Sequence, residues 1–268
     1  GIFDNMNQFF RKNGYRIVDR TDLADDEITF TNAWGVADTD LFRRVIREAD
    51  RSYRTKKPFF SMVLTTSNHR PFTYPQGKID IPSHTGRDGA VKFTDYAIGK
   101  FLEESAKKPW FNDTIFVIVA DHSADGRGVI DVPVETYHIP MWIYSPANFR
   151  PQKVDRVSSQ IDVIPTVLSL LGVKARNMFL GRDILSMTEA DERFFSGTYQ
   201  KVGLYKNGIF FSLGLKGVVE SLTYNVEERK VDRTPMQAPE NEKLTIAWYE
   251  YASWLYKEGL YKMDELKI

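Results

Sequence analysis

The chain has 268 residues, of which 42% are hydrophobic and 13% aromatic, enough for one large α/β domain or for a domain with a small appendage. Its 36 basic residues balance 36 acidic ones, so no net charge favours nucleic acid as a partner. The absence of cysteine excludes disulfides, thiolate metal ligands and cysteine nucleophiles within these residues. No apolar run approaches the roughly 20 residues that a membrane helix needs, and no signal peptide opens the chain.

The first hundred residues predict two helices separated by a strand and a long loop. Apolar side chains at helical spacing predict a helix over 38–53, with Asp38 as its N-cap. The apolar run 59–64 follows a proline and predicts a strand. Proline, glycine and charge over 70–90 indicate a loop, and a second helix is expected over 92–106.

The strongest strand signal is the continuous β-branched run 114–120, which is typical of a strand covered on both faces. A further strand is predicted over 139–144, and a helix from Asp162. Alternating strands and helices of this length favour an α/β fold, with a mostly parallel sheet flanked by helices.

The character of the sequence changes after about residue 176. Residues 193–225 resemble three antiparallel strands with an Asn-Gly hairpin turn, and a last helix is predicted near 241–258. We therefore expect a main domain over 1–185 and a small α+β appendage, an antiparallel sheet plus a helix, over 186–268.

Asp121 and His122 form the pair of residues best placed for chemistry. They follow the 114–120 strand, and ligands of open α/β sheets bind beyond the carboxyl ends of the strands. Carboxylate oxygen and imidazole nitrogen together suit Mn²⁺ or Zn²⁺ better than Ca²⁺. The alternative is a solvated turn in which the aspartate caps the following loop.

Three of the four histidines lie where predicted strands meet loops: His69, His122 and His138. An imidazole cluster at one sheet edge can bind an oxyanion when protonated or a metal when neutral. The first two follow their strands, whereas His138 precedes its strand and needs a returning loop to reach the same edge. The alternative for each is a hydrogen-bonded loop histidine.

Two arginines near these positions, Arg70 and Arg127, could pair with an anionic substrate. Arg127 lies between two glycines, which would let its loop approach a ligand closely. Both could equally be surface residues.

An ordered set of motifs resembles the sulfatase-like proteins of the alkaline phosphatase superfamily, and among them most closely the lipoteichoic-acid-synthase-type phosphoglycerol transferases. The resemblance covers residues 1–185, and its most specific part runs from YAIG to VADH. The motifs are FDNMN (3–7), NGY (13–15), WGVAD (34–38), SNHRPF (67–72), YAIG (96–99) followed by Trp110, Asn112 and Thr114, VADH (119–122), YHIP (137–140), DVIPT (162–166) and GRD (181–183).

The resemblance implies roles for individual residues. It implies that Asp121 and His122 are ligands of a divalent metal, usually manganese in this family. It implies that His69 contacts the phosphoryl group or the leaving oxygen, and that His138 lies near the substrate. Trp34 falls where the family has a pocket residue.

The resemblance also implies the reaction. In this family a metal-bound threonine attacks the phosphodiester of phosphatidylglycerol, and the glycerolphosphate then passes to an acceptor or to water. In this family membrane-anchored proteins catalyse the reaction on the extracytoplasmic side of a bacterial cell membrane, with an anionic phospholipid or glycan as substrate.

No stretch of residues 1–268 resembles the family's nucleophile or its remaining acidic metal ligand, which precede these motifs. We therefore expect a C-terminal piece of the catalytic domain that lacks the first strands of the sheet and the membrane anchor. Such a piece should be inactive alone, and its exposed sheet edge could make it dimerise.

Two other functions stay open. A true sulfatase would need a formylglycine motif, and the region that would carry it is absent from this sequence. A non-catalytic module would keep the fold and bind an envelope lipid or glycan.

Overall fold

The computed structural model describes residues 5–124, 132–173, 179–234 and 236–260. These divide into two compact units. The first comprises Gly1–Ile115 and Ser145–Phe149, and the second comprises Phe116–Tyr144 and Arg150–Ile268. We describe each unit by itself. The predicted domain boundary at residue 185 stays a prediction.

The first unit is helical. It contains α1 (Met6–Lys12), α2 (Asp38–Tyr53) and α3 (Arg87–Ser105), so the predicted 38–53 helix is confirmed. Helix α3 begins five residues earlier than predicted because Gly86 (φ 133°) ends the loop and Asp88 lies favourably in the first turn. The α2–α3 contact includes two stacked rings, Phe42 and Phe101, with centroids 4.7 Å apart.

Residues in and next to these helices form an apolar core and a set of polar contacts, here called the polar clasp, around Asp50. Tyr74 and Phe93 stack at 5.1 Å and are almost fully buried. Asp50 of α2 accepts hydrogen bonds from Lys108 Nζ (2.7 Å) and Trp110 Nε1 (2.8 Å). This clasp joins the end of α2 to the segment that follows α3.

Two predictions for this unit are wrong. Residues 59–64 pair with no strand among the described residues, and Phe60 and Met62 are 63% and 53% exposed. An apolar run shows that a segment can pack, but a strand also needs a neighbour for its backbone groups. Asp38 is not the N-cap either, because the helix begins at Asp38 itself, and its carboxylate binds a different segment.

The second unit begins with an antiparallel ribbon. Strand β1 (Phe116–Val119) pairs with β2 (Met141–Tyr144) in a register that sets Phe116 opposite Tyr144 and Val119 opposite Met141. The sequence predicted a mostly parallel sheet, whereas all strands that pair within the described residues do so antiparallel. A continuous apolar run indicates two covered faces but carries no information about strand direction.

A five-stranded antiparallel meander makes up much of the rest. Its order in the sheet is its order in the chain, with every strand next to its sequence neighbour. The sequence predicted three strands over 193–225, where the structure has four, and the predicted hairpin turn is confirmed at Asn207 and Gly208, which both have positive φ. The strands are β3 (Phe194–Gly197), β4 (Lys201–Lys206), β5 (Ile209–Gly214), β6 (Val219–Asn225) and β7 (Lys230–Asp232).

Two helices complete the second unit, α4 (Val163–Leu170) and α5 (Pro239–Lys257), and both were predicted. Helix α5 is fixed to the β4–β5 hairpin by Asn241 Nδ2, which donates to the carbonyl oxygens of Lys206 and Ile209. Within the described ranges, no helix combines the length and apolar character needed to cross a membrane.

A buried ion pair ties the meander to the segment before α4. Asp162 is fully buried and accepts two hydrogen bonds from the guanidinium of Arg193, at 2.7 and 3.0 Å. It also accepts the backbone N–H groups of Ser159 and Arg182, both at 2.8 Å. With four donors around it, Asp162 is a structural residue.

Candidate functional site

His69 lies in a turn that a buried carboxylate holds in place. Asp38, which is fully buried, accepts the backbone N–H groups of Thr66 (2.9 Å) and Ser67 (3.1 Å) and the hydroxyl of Thr94 (2.8 Å). Ser67 Oγ accepts the Asp38 backbone N–H in return. Because Asp38 lies at the start of α2, the helix dipole adds to these bonds, and the turn that carries His69 is anchored to a rigid helix.

The imidazole of His69 stacks on Trp34. The two ring centroids are 3.4 Å apart with 33° between the planes. Trp34 Nε1 donates to the Arg70 carbonyl oxygen, and His69 Nδ1 lies 3.3 Å from the same oxygen. Since a carbonyl only accepts, this contact favours the tautomer with its proton on Nδ1 and leaves Nε2 free to serve as the reactive nitrogen.

Asp121 and His122 follow β1 and are exposed, with side-chain exposures of 77% and 76%. His122 Nδ1 lies 2.8 Å from the Ser123 carbonyl oxygen, which places the imidazole proton there and leaves the lone pair on Nε2. That Nε2 is 3.5 Å from Asp121 Oδ2. Two donors each about 2.1 Å from one ion at the tetrahedral angle would be about 3.4 Å apart, so the pair has the spacing of two ligands of one cation.

The backbone under this pair is fixed by Gln160. Its side-chain Nε2 donates to the carbonyl oxygens of Ala120 (3.0 Å) and Asp121 (2.8 Å). The pairing of β1 with β2 also extends one step further, because the Ala120 N–H donates to the Pro140 carbonyl. Gln160 therefore acts on the pair through the backbone rather than through a ligand.

The antiparallel register brings His138 to the same end of the ribbon. Paired residue numbers of β1 and β2 sum to 260, as in Phe116 with Tyr144. The residues that follow β1, including His122, and those that precede β2, including His138, therefore lie at the same end of the ribbon. No returning loop is needed, contrary to the sequence-based expectation. His138 is exposed, and its Nδ1 accepts a 2.8 Å hydrogen bond from Arg229, which places the proton of the neutral ring on Nε2.

The metal-ligand set is a partial one. Asp121 and His122 fit a divalent cation by donor chemistry and spacing. However, within the described ranges no three or more His, Asp or Glu side chains are placed to share a metal ion. His138 therefore does not complete a metal site with the pair.

The remaining predicted substrate contacts give less information. Arg70 is exposed at the turn after His69 and forms no ion pair within the described residues. Arg127 lies outside the described residues. The predicted site residues are thus found in both units: Trp34, His69 and Arg70 in the first, and Asp121, His122 and His138 in the second.

Three positioning residues were not identified from the sequence: Asp38, Gln160 and Arg229. Each binds a partner 28 or more residues away, and Arg229 is 91 residues from His138. Asp38 was noticed only as a helix-start signal and as the last residue of the WGVAD motif. Neither Gln160 nor Arg229 belongs to a motif with a recognisable spacing.

Comparison with solved structures defines the class of protein. A Vibrio parahaemolyticus protein of the alkaline phosphatase superfamily superposes with a TM-score of 0.88 at 35% identity, over 98% of this chain and 64% of that one. The lipoteichoic acid synthase LtaP from Listeria monocytogenes has the same fold with a TM-score of 0.59 at 22% identity, over 85% and 64% of the two chains. The predicted α/β fold of the alkaline phosphatase and sulfatase type is thereby confirmed.

The chain belongs to the sulfatase family, whose profile matches residues 1–173. Among curated relatives it is similar to lipoteichoic acid synthase 2 of Bacillus subtilis, with 24% identity over 232 residues and 78% of this chain. That match spans 34% of the relative, so the chain spans about a third of the length of this curated protein. The resemblance to lipoteichoic-acid-synthase-type proteins inferred from the motifs is confirmed.

Proposed function

We propose that this chain forms part of a metal-dependent enzyme that transfers or hydrolyses a phosphodiester-linked glycerolphosphate group. The substrate class is an anionic phospholipid or glycan, and the reaction takes place on the extracytoplasmic face of a bacterial membrane. The similarity to lipoteichoic acid synthases from several bacteria supports both parts of the proposal.

The observation that carries the proposal is the Asp121–His122 pair. Its carboxylate oxygen and its deprotonated imidazole nitrogen are 3.5 Å apart and exposed at the end of a strand. Mixed oxygen and nitrogen donors suit Mn²⁺ or Zn²⁺, and we assign Mn²⁺ because the resemblance to the family implies it. When bound, the ion would neutralise charge on phosphoryl oxygens and lower the pKa of a nucleophilic hydroxyl.

The other residues act on the substrate directly. His69, with its Nδ1 proton directed to the Arg70 carbonyl, receives or returns a proton at Nε2, where the leaving oxygen departs. His138 donates from Nε2 to a phosphoryl oxygen while Arg229 occupies Nδ1. The Arg70 guanidinium attracts the anionic head group, and Arg127 is assigned the same role from the sequence. Trp34 lines the pocket next to His69 and limits the movement of its ring.

Sulfate ester hydrolysis is the second candidate, because the profile that matches residues 1–173 is that of the sulfatases. Sulfate and phosphate esters share tetrahedral geometry, and the metal pair and His69 would serve both. A third candidate is a non-catalytic module that binds an envelope lipid or glycan.

Metal binding is tested first on this chain by calorimetry with Mn²⁺. We expect weak binding that Asp121→Ala/His122→Ala abolishes and that His84→Ala leaves unchanged, since His84 is an exposed loop histidine outside the site. If the double variant binds Mn²⁺ as the parent does, the metal assignment is wrong and the binding-module candidate gains.

Substrate class is tested on the protein as purified from membranes, with a fluorescent phosphatidylglycerol and an aryl sulfate in parallel. We expect Mn²⁺-dependent release of diacylglycerol, reduced at least about a hundredfold by His69→Ala. Turnover of the sulfate ester alone would replace the phosphodiester assignment. Binding of the lipid without turnover of either compound would favour the non-catalytic module.

A further inference from the structure

A polar pocket lies in the second unit, and none of its residues belongs to the candidate functional site described above. It has a volume of about 160 Å³ and opens between strand β4, helix α5 and the segment before β3. Arg182, Arg193 and Lys206 form its polar side. Leu244 and Trp248 of α5 form its apolar side.

The charges around the pocket do not balance. Arg193 is neutralised by Asp162 through two hydrogen bonds, and Arg182 forms an ion pair with Asp191. Lys206 has no such partner, because its ammonium donates to the Ala190 carbonyl oxygen and meets no carboxylate within the described residues. The three cations of the pocket are therefore paired with only two carboxylates, of which Asp191 alone lines it.

The ammonium of Lys206 is in an unfavourable environment when the pocket holds no anion. Burial, followed by the positive charges of Arg182 and Arg193, lowers the pKa of Lys206 below its ordinary value. In addition, Arg193 is only 3% exposed, and its buried Nε has no hydrogen-bond partner within the described residues. Both features point to a group that is negatively charged and accepts hydrogen bonds.

The size of the pocket is compatible with a small oxyanion. Its volume of about 160 Å³ equals that of about five waters at roughly 30 Å³ each, which is enough space for a phosphate or sulfate ion. The indole of Trp248 and the side chain of Leu244 offer an apolar wall that a short organic substituent could cover.

We propose that this pocket binds a single tetrahedral oxyanion, either free phosphate or sulfate or the end of a small phosphate or sulfate ester, with Lys206 as its unpaired cation. The site goes beyond the proposed transferase reaction and does not depend on it. It requires neither the Asp121–His122 pair nor a metal ion.

The test is calorimetric titration of the chain with inorganic phosphate, sulfate and glycerol 3-phosphate at constant ionic strength. We expect saturable binding at one site that Lys206→Met weakens about tenfold or more, because a charge-assisted hydrogen bond and the unpaired charge are both lost. Lys230→Met is the matched control, since Lys230 is exposed on the same sheet and pairs with Glu228. It should bind as the parent does.

The three probes also distinguish the source of the anion. Equal affinity for phosphate and glycerol 3-phosphate identifies a site for a free ion, and tighter binding of the ester identifies a site for a small ester. The proposal is overturned if none of the three binds saturably to the folded chain, or if Lys206→Met binds as tightly as the Lys230→Met control.

A measurement on the unmodified chain covers the case in which Lys206→Met does not fold. A lysine with a lowered pKa reacts readily with amine-acylating reagents, and a bound anion would slow that reaction. Mass spectrometry should show phosphate protecting Lys206 and leaving Lys230 unprotected. Equal labelling of Lys206 with and without phosphate would also overturn the proposal.

Discussion

Replacing Asp38 by asparagine tests whether this buried carboxylate positions His69. The asparagine oxygen can still accept from Thr66 and Ser67, and its amide can donate to Thr94, so the shape and the number of hydrogen bonds are retained. What is lost is the charge. A hydrogen bond to a charged group contributes about 1 kcal/mol more than a neutral one, so three bonds predict a loss of about 2–3 kcal/mol in the free energy of unfolding.

The matched control is Asp40→Asn on the same helix. Asp40 is as deeply buried and accepts from Thr29 N–H, Thr29 Oγ1, Phe30 N–H and Arg43, but it contacts nothing in the His69 turn. It should therefore cost a similar free energy of unfolding. The two variants then differ in which segment is released, and Asp40→Asn also loses the ion pair with Arg43.

Two measurements separate the variants. Denaturant unfolding followed by circular dichroism should give similar losses, whereas the Trp34 indole resonance should change its shift and lose exchange protection only in Asp38→Asn. If the proposed transferase assignment is right, Asp38→Asn should lower kcat in the phosphatidylglycerol assay about tenfold to a hundredfold, because small misplacements of a reacting group are costly. The reasoning fails if the Trp34 resonance is unchanged in Asp38→Asn, or if both variants lose kcat equally.

Three further predictions follow from other contacts. Trp34→Phe keeps the ring but removes the indole N–H, so kcat should fall severalfold at constant KM; a rise in KM alone would instead support direct substrate binding by Trp34. Arg229→Met should turn the single Nε2–H tautomer of His138 into a mixture, seen in ¹⁵N spectra of the imidazole, and an unchanged spectrum would exclude a positioning role. Burial raises the pKa of Asp50, but its bonds to an ammonium and an indole N–H outweigh this and leave it below the ordinary value. The folded form of Asp50 thus binds its proton less readily than the unfolded form. Its contribution of about 1–2 kcal/mol should therefore be complete above about pH 5, decline as the pH falls below the ordinary pKa of about 4, and disappear only below the lower pKa of the folded form. Comparison with Asp50→Asn across pH 3–7 measures it, and a difference that stays constant down to pH 3 would contradict the assignment.

Local pattern predicted the elements well where the pattern was long. The helices α2 and α5 and the Asn207–Gly208 turn were located from apolar spacing and turn chemistry, because both signals lie within the element itself. The prediction of a strand over 59–64 was wrong because the residues of a segment do not show whether another strand is available to pair with it. The direction of β2 was missed for the same reason.

The reactive residues of the candidate site could be predicted from the sequence, but the residues that position them could not. His69, Asp121, His122 and His138 could be selected because each is a chemically distinctive residue at a predicted strand end. The positioning residues are of common types and contact the site from distant parts of the sequence, as Arg229 does when it donates a hydrogen bond to His138. The error in strand direction also concealed why His138 shares an end with His122.

The sequential order of the meander has a consequence for folding kinetics. Each of its strands pairs only with its sequence neighbour, so every loop that must close is short, whereas the β1–β2 ribbon closes a segment of about twenty residues. Short-range contacts form faster than long-range ones, so the meander should acquire hydrogen-exchange protection before the ribbon does. The β4 side of the oxyanion pocket, which carries Lys206, would then form early, and the strand end that carries Asp121 and His122 would form late.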